Sequence, residues 1–308
     1  MKNTKNHETA ETSGKNKIHR RTNVTELIMK LVFLAAASTS VLAVVLICVF
    51  LFAGGIPAIA EIGIFKFLFG TEWRPSNNIY GIFPYIIGSI YVTAGAILFG
   101  VPIALLTSVF MAKYCPKKLY PFFRSAINLM AGVPSIVYGF FGMVLIVPTI
   151  RNLFSKQQIS GSSMLAASVL LGIMILPTVI GVTETSIRSV PQSYYEGSLA
   201  LGATHERSVY CIVFPAAKSG ILAGVVLGIG RAIGETMAVI MVAGNQPRMP
   251  QGILEGVRTM TANIVIEMGY AAGLHREALI ATGVVLFVFI LIINLAVSSL
   301  NRRAKNGN

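Results

Sequence analysis

Arg231 and Glu235 are the residues most able to do chemistry here, because they stand in an apolar stretch with no other charge between Lys218 and Arg248. A charge at the centre of a membrane helix costs about 2.5–3.5 kcal/mol on insertion scales, so both groups need partners or water. Four residues apart on an unbroken helix, they share one face and can pair. Gly224 and Gly228 lie seven residues before them, so the charges prolong a small-residue stripe suited to close helix packing. That places them toward protein or a polar path rather than lipid. A guanidinium offers paired donors to an oxyanion and keeps its charge when desolvated. Glu235 is expected to orient Arg231 and lower its insertion cost when no anion is present; the alternative is an ion pair that locks helix register.

Two further stretches are unusual. Gly132-Val-Pro-Ser135-Ile-Val-Tyr138-Gly139-Phe-Phe-Gly142 puts Gly and Pro inside an apolar run. Backbone groups freed there cannot be satisfied by lipid, so such a break belongs in protein or beside water, unless the helix is merely kinked and closely packed. The second is a polar stretch between long apolar segments: Gly202 stands six residues after Glu196, Ile212 ten further on, and Pro215 three beyond that.

Other chemistry finds no support. No Gly-x-x-x-x-Gly-Lys-[Ser/Thr] is present to cradle nucleotide phosphates. His7, His19, His205 and His275 lack metal-ligand spacing and read as solvated tail or loop residues. The twelve acidic residues are all Glu, mostly scattered over loops, with no Ser-His-acid or paired-carboxylate arrangement. Cys48, Cys115 and Cys211 imply neither disulfide nor metal site and read as small semi-buried thiols.

The elements that must position these groups are membrane helices. Of 308 residues, 54% are hydrophobic and 12% charged, and the mean hydropathy is +0.72, a balance foreign to water-soluble domains. Apolar runs of about 20 residues mark spans, and six are expected: Leu31 to Phe52, Ile82 to Met111, Ile127 to Ile150, Met164 to Val182, Pro215 to Val242 and Ala278 to Leu300. The net charge of +13 invites a nucleic-acid reading, but the basic residues follow alternate loops. Seventeen lie on the side of both termini and the Glu196 stretch, against seven on the other. The positive-inside rule makes that first side cytoplasmic. The basic N-terminal region followed by an apolar run also resembles a signal peptide, but the run is too long for one. Residues 1–26 are expected as a disordered cytoplasmic tail, 27–81 as the first span and outer loop, 82–300 as the membrane core with the polar loop at 190–215, and 301–308 as a second tail. Ile62 to Phe69 is too short to cross and reads as an interfacial segment anchored by Trp73. The outer loop from Gly244 to about Glu277 is long enough to cover the outer mouth.

Glu196 to Pro215 resembles the "EAA" coupling loop of ABC-transporter permeases, with Gly197 and Ser198 in place of two alanines and Phe214 in place of Leu. Gly132-Val-Pro-Ser-Ile-Val-Tyr-Gly-Phe140, Arg231-Ala-Ile-Gly-Glu-Thr-Met-Ala-Val239 and Gly244-Asn245 resemble the phosphate-specific branch. Gly-Glu-Thr-Met-Ala-Val and Gly70-Thr-Glu-Trp73-Arg-Pro75 resemble the PstC-type rather than the PstA-type subunit. The likeness runs from about residue 27 to 300. It implies an all-α, six-helix type I importer permease with cytoplasmic termini, multi-pass in the bacterial plasma (inner) membrane, translocating inorganic phosphate without being an enzyme. The implied partners are a PstA-like permease, a PstB-like ATPase dimer that carries ATP and Mg, and an extracytoplasmic phosphate-binding protein; this chain would bind no cofactor, metal or nucleic acid. Arg231, Glu235, Ser135 and Thr236 are the expected substrate-pathway residues, and Glu196, Gly202, Ile212 and Pro215 the expected ATPase-coupling residues. A secondary anion transporter, or an ABC permease for sulfate or molybdate, is the rival reading, with a membrane enzyme behind them.

Overall fold

A computed structural model describes residues 24–157 and 160–306. Residues 1–23, with the expected disordered tail, His7 and His19, lie outside the described residues. The elements in order are α1 (Val24–Ile62), α2 (Ile64–Phe69), β1 (Trp73–Arg74), β2 (Ile79–Tyr80), α3 (Phe83–Val109), α4 (Tyr120–Gly132), α5 (Ser135–Phe141), α6 (Val147–Leu153), α7 (Met164–Arg188), α8 (Gln192–Ala200), α9 (His205–Ser208), α10 (Phe214–Ala216), α11 (Lys218–Gly234), α12 (Met237–Val242), α13 (Met260–Met268) and α14 (Leu274–Asn306).

Two units divide the chain at residue 50, the first being Met1–Phe50 and the second Leu51–Asn308. All of the sites below belong to the second. There α7 is central: 61% of its most apolar window is buried, against 11–33% for the other four single helices long and apolar enough to cross a membrane. It packs on α3 and α11. Ser168 on α7 donates to the Val92 carbonyl of α3 at 3.3 Å. The glycine stripe of α11 lies on α7, where a Cβ on Gly224 would sit 3.0 Å from Thr183 Oγ1 and one on Gly228 2.6 Å from Val179 Cγ2. The outward faces carry side chains such as Leu98 and Leu106, 71% and 65% exposed, the surface that a lipid solvent favours.

Among the described residues five unbroken helices can span, and six if His205–Ala216 and Lys218–Gly234, bent by 69°, are counted together, so the expected number is met while the course of several spans differs. The fifth span therefore does not run unbroken from Pro215 to Val242: it turns at Ala217 and breaks again after Gly234. The third span is also broken, because α4 stops at Gly132 and Val133 and Pro134 are extended before α5 begins. Pro134 cannot donate to the helix ladder and pushes the residue before it out of the α region. The fourth span continues past Val182 to Arg188, and the last helix continues past Leu300 to Asn306. A two-residue antiparallel hairpin, with Trp73 opposite Tyr80, adds strand to the expected all-helical chain.

Candidate functional site

Arg231 and Glu235 do not pair. The helix they were expected to share ends at Gly234, and Glu235 is extended with φ −71° and ψ 133°. Without the helical turn, residues four apart no longer lie one above the other. Instead Glu235 Oε1 accepts from the Ala238 amide at 3.2 Å and so caps α12. Arg231 Nη1 donates to Thr178 Oγ1 of α7 at 3.3 Å, and among the described residues it forms no ion pair. Arg231, Glu235, Thr236 and Ser135 are all half-buried. Thr236 Oγ1 donates to the Gly234 carbonyl at 3.3 Å, and the Glu235 carbonyl accepts from Thr261 Oγ1 of α13 at 3.1 Å. The broken backbone is thus satisfied by protein, as apolar surroundings require.

The second break adjoins the first. Helices α5 and α12 both start at a break and run side by side in one direction, Gly139 meeting Ala238 and Met241, and Gly142 meeting Val242. A Cβ on Gly139 would lie 3.0 Å from Ala238 Cα, so a larger residue there would force the half-helices apart. Ser135 begins α5 but, among the described residues, makes no hydrogen bond to Arg231, Glu235 or Thr236. The structure gives a cation that has no counter-ion among the described residues and rests on the Thr178 hydroxyl, close in sequence to a helix break whose carbonyls are taken by Thr236 and Thr261. Arg231 can receive an anion through its charge, and Thr178, which accepts from Arg231, can donate its own hydroxyl proton beside it.

The polar loop forms a second site, a helical hairpin of α8 and α9. Its turn contains Gly202 at φ 84° with no heavy atom close to a Cβ there, a left-handed conformation that other residues adopt only with strain. Thr204 caps α9 by accepting from the Arg207 amide at 3.3 Å. The two helices are tied by Ser208 Oγ donating to Ser198 Oγ at 3.0 Å and by Tyr195 Oη on His205 Nδ1 at 2.7 Å. Glu196, Gly202, Ile212 and Pro215 are all exposed. Leu201 at the tip is 91% exposed.

Two buried carboxylates escaped the sequence reading. Glu184, 1% exposed, accepts from Tyr120 Oη and Arg124 Nη1 of α4, both at 2.8 Å, and from Arg188 Nε at 2.7 Å. Its hold on the Tyr120 hydroxyl, more than burial, raises that group's pKa above the ordinary tyrosine value. Glu267 accepts from Arg258 Nη1 and Trp73 Nε1, each at 2.7 Å, and bonds His275 Nε2 at 2.9 Å. Trp73 is therefore no lipid-facing anchor but a buried donor, 7% exposed, and His275 is not solvated. His205 is half-buried against the Tyr114 and Tyr195 rings. Both glutamates sit within helices rather than loops, and the only local signal was the Glu184–Arg188 spacing of four residues. The other partners are distant in sequence. Of the cysteines, Cys48 and Cys115 are half-buried and Cys211 is exposed, with no bond among them.

Comparison with known proteins gives a family and a fold. Residues 100–306 match the family described as binding-protein-dependent transport system inner membrane component. The probable ABC transporter permease protein YqgH of Bacillus subtilis is 34% identical over 244 residues, covering 78% of each chain. The phosphate transport system permease protein PstC of Xylella fastidiosa is 33% identical, covering 79% of this chain and 81% of the relative. Among solved structures, a bacterial alginate ABC transporter chain matches with a TM-score of 0.64 at 16% identity, covering 92% of this chain and 98% of that one. A chain of the MetNI methionine ABC transporter matches with a TM-score of 0.56 at 19% identity, covering 76% and 99%.

Proposed function

The chain belongs to the family of binding-protein-dependent transport system inner membrane components, as a PstC-type permease of type I importer fold and a multi-pass plasma-membrane protein, and from that premise we propose that it conducts inorganic phosphate into the cell. The observation that carries the proposal is Arg231, a half-buried cation with no counter-ion among the described residues, near the end of one broken helix. An anion approaching the bilayer centre needs such a charge. Thr178, Thr236 and Ser135 offer hydroxyls near the breaks, and Glu235 caps α12 rather than neutralising the arginine. The carboxylate then helps to keep anions from resting at the site too tightly, while Arg231 draws them in.

The energy comes from a separate ATPase dimer, PstB-like, which holds ATP and Mg and meets the exposed hairpin at Glu196 and Gly202, together with Ile212 and Pro215 in the segment that follows it. That interface and both termini face the cytoplasm, by the bias of basic residues. A PstA-like permease completes the path, and a binding protein delivers phosphate at the opposite face. The test is ATP-dependent uptake of labelled phosphate into vesicles containing all partner chains, with sulfate and molybdate as competitors. Uptake blocked by phosphate alone is the expected result. A path for another oxyanion would show itself as competition by that ion, and a secondary transporter as uptake without ATP.

A further inference from the structure

The buried Glu184 joins α7 to α4, and its partner Arg188 reaches on to the turn after α3. Its carboxylate is saturated by protein donors at 2.7–2.8 Å, two from α4 and one from Arg188 on α7. Arg188 reaches on through Nη2 to the Met111 carbonyl at 2.8 Å, in the wide turn after α3, and lies 4.4 Å above the Tyr120 ring. Two residues beyond Met111, Lys113 stands over the Tyr195 ring of α8 at 5.5 Å. Tyr195 in turn holds His205 across the hairpin. In the other direction, α4 runs from Arg124 to Gly132 and opens into the Pro134 break. A continuous chain of bonded groups therefore runs from the exposed hairpin to the broken helix.

Beyond these bonds α4 is held by Ile127, its one buried residue, by Phe123 edge-on to the Phe110 ring at 5.7 Å, and by Tyr138 Oη donating to the Met130 carbonyl at 2.8 Å, while Phe122 and Leu129 are 70% and 72% exposed. A carboxylate that is 1% exposed carries a desolvation cost that apolar packing of like volume would avoid, so its three bonds are not accounted for by stability alone.

We propose that Glu184 is a positioning residue that makes α4 move with the end of α7 and the α8–α9 hairpin, so that events at the hairpin reach the break at Val133–Pro134. The proposal rests on the importer reading above. Because its bonds are short, charged and spread over both carboxylate oxygens, Oε1 taking Tyr120 and Arg188 and Oε2 taking Arg124, the linkage fixes the relative placement of α4 and the end of α7.

The test measures anion moved per ATP hydrolysed by the full complex in vesicles. Glu184→Gln should assemble and keep basal ATP hydrolysis, while anion moved per ATP falls about tenfold, the scale of a typical coupling free energy. Arg124→Lys, which keeps the charge but moves the donor from its Nη1 position 2.8 Å from Glu184 Oε2, should give a smaller fall in the same ratio. A wild-type ratio in assembled Glu184→Gln would overturn the proposal, as would uptake and hydrolysis falling in parallel. If Glu184→Gln fails to assemble, Arg124→Lys carries the test alone, and a wild-type ratio there overturns it. Wild-type vesicles moving sulfate or molybdate instead of phosphate would contradict the phosphate reading and leave the ratio test of Glu184 intact.

Discussion

At the scale of single residues, Arg231 and Glu235 separate two kinds of account. Had they paired, neutralising both would have left a viable helix; because they do not, each has its own expected phenotype. Arg231→Gln should leave assembly intact and reduce uptake about a hundredfold, the effect of losing roughly 3 kcal/mol of counter-charge, whereas Arg231→Lys should recover part of it. Glu235→Gln keeps an oxygen able to cap α12, so unchanged uptake would reduce Glu235 to a cap, and lost uptake would give its charge a role in transport. Glu267→Gln should lower the thermal midpoint of the purified complex, because removing one partner of a buried ion pair costs about 3–5 kcal/mol. An unchanged midpoint would show that Arg258, His275 and Trp73 hold the surrounding loops without it. The residue types at both sites were legible in the sequence, but Thr178 and Glu184 were not, since their partners come from elements 53 and 60–64 residues away.

At the scale of elements, length and hydropathy located the apolar helices, and the proline at 134 located one break. The second break was hidden, because Gly-Glu-Thr inside an apolar run carries no obligatory breaker. Thr261 Oγ1 of α13 bonds the broken backbone there, a long-range contact that hydropathy cannot report. The outer loop was likewise read by length alone, yet it contains α13 and the buried Glu267 cluster. The hairpin of α8 and α9 was readable from Gly202, whose φ of 84° is the conformation that glycine supplies. Gly202→Trp should strain this turn by about 1–2 kcal/mol and reduce anion moved per ATP without changing membrane insertion. Normal coupling in that variant, measured as phosphate taken up against ATP hydrolysed, would remove the hairpin from the energy path.

At the scale of the whole molecule, the charge bias fixes which face should meet which partner. Cysteines placed at the exposed Thr71 and Gln251, in a chain freed of its three native cysteines, should cross-link to the binding protein and not to the ATPase; the reverse pattern would invert the topology. Along the chain the structure presents an exposed hairpin, an arginine without a counter-ion among the described residues near a broken helix, and a buried ionic node at Glu184. That arrangement suits a subunit that borrows energy at one end and conducts charge through its middle. The most direct test compares ATP-driven uptake of labelled phosphate by vesicles holding all partner chains with wild type or Arg231→Gln. The expected result is saturable uptake in the wild type, competed by phosphate and not by sulfate or molybdate, and about a hundredfold less in an assembled, ATP-hydrolysing variant. Equal phosphate uptake by the two would contradict the assignment of Arg231 to the phosphate path.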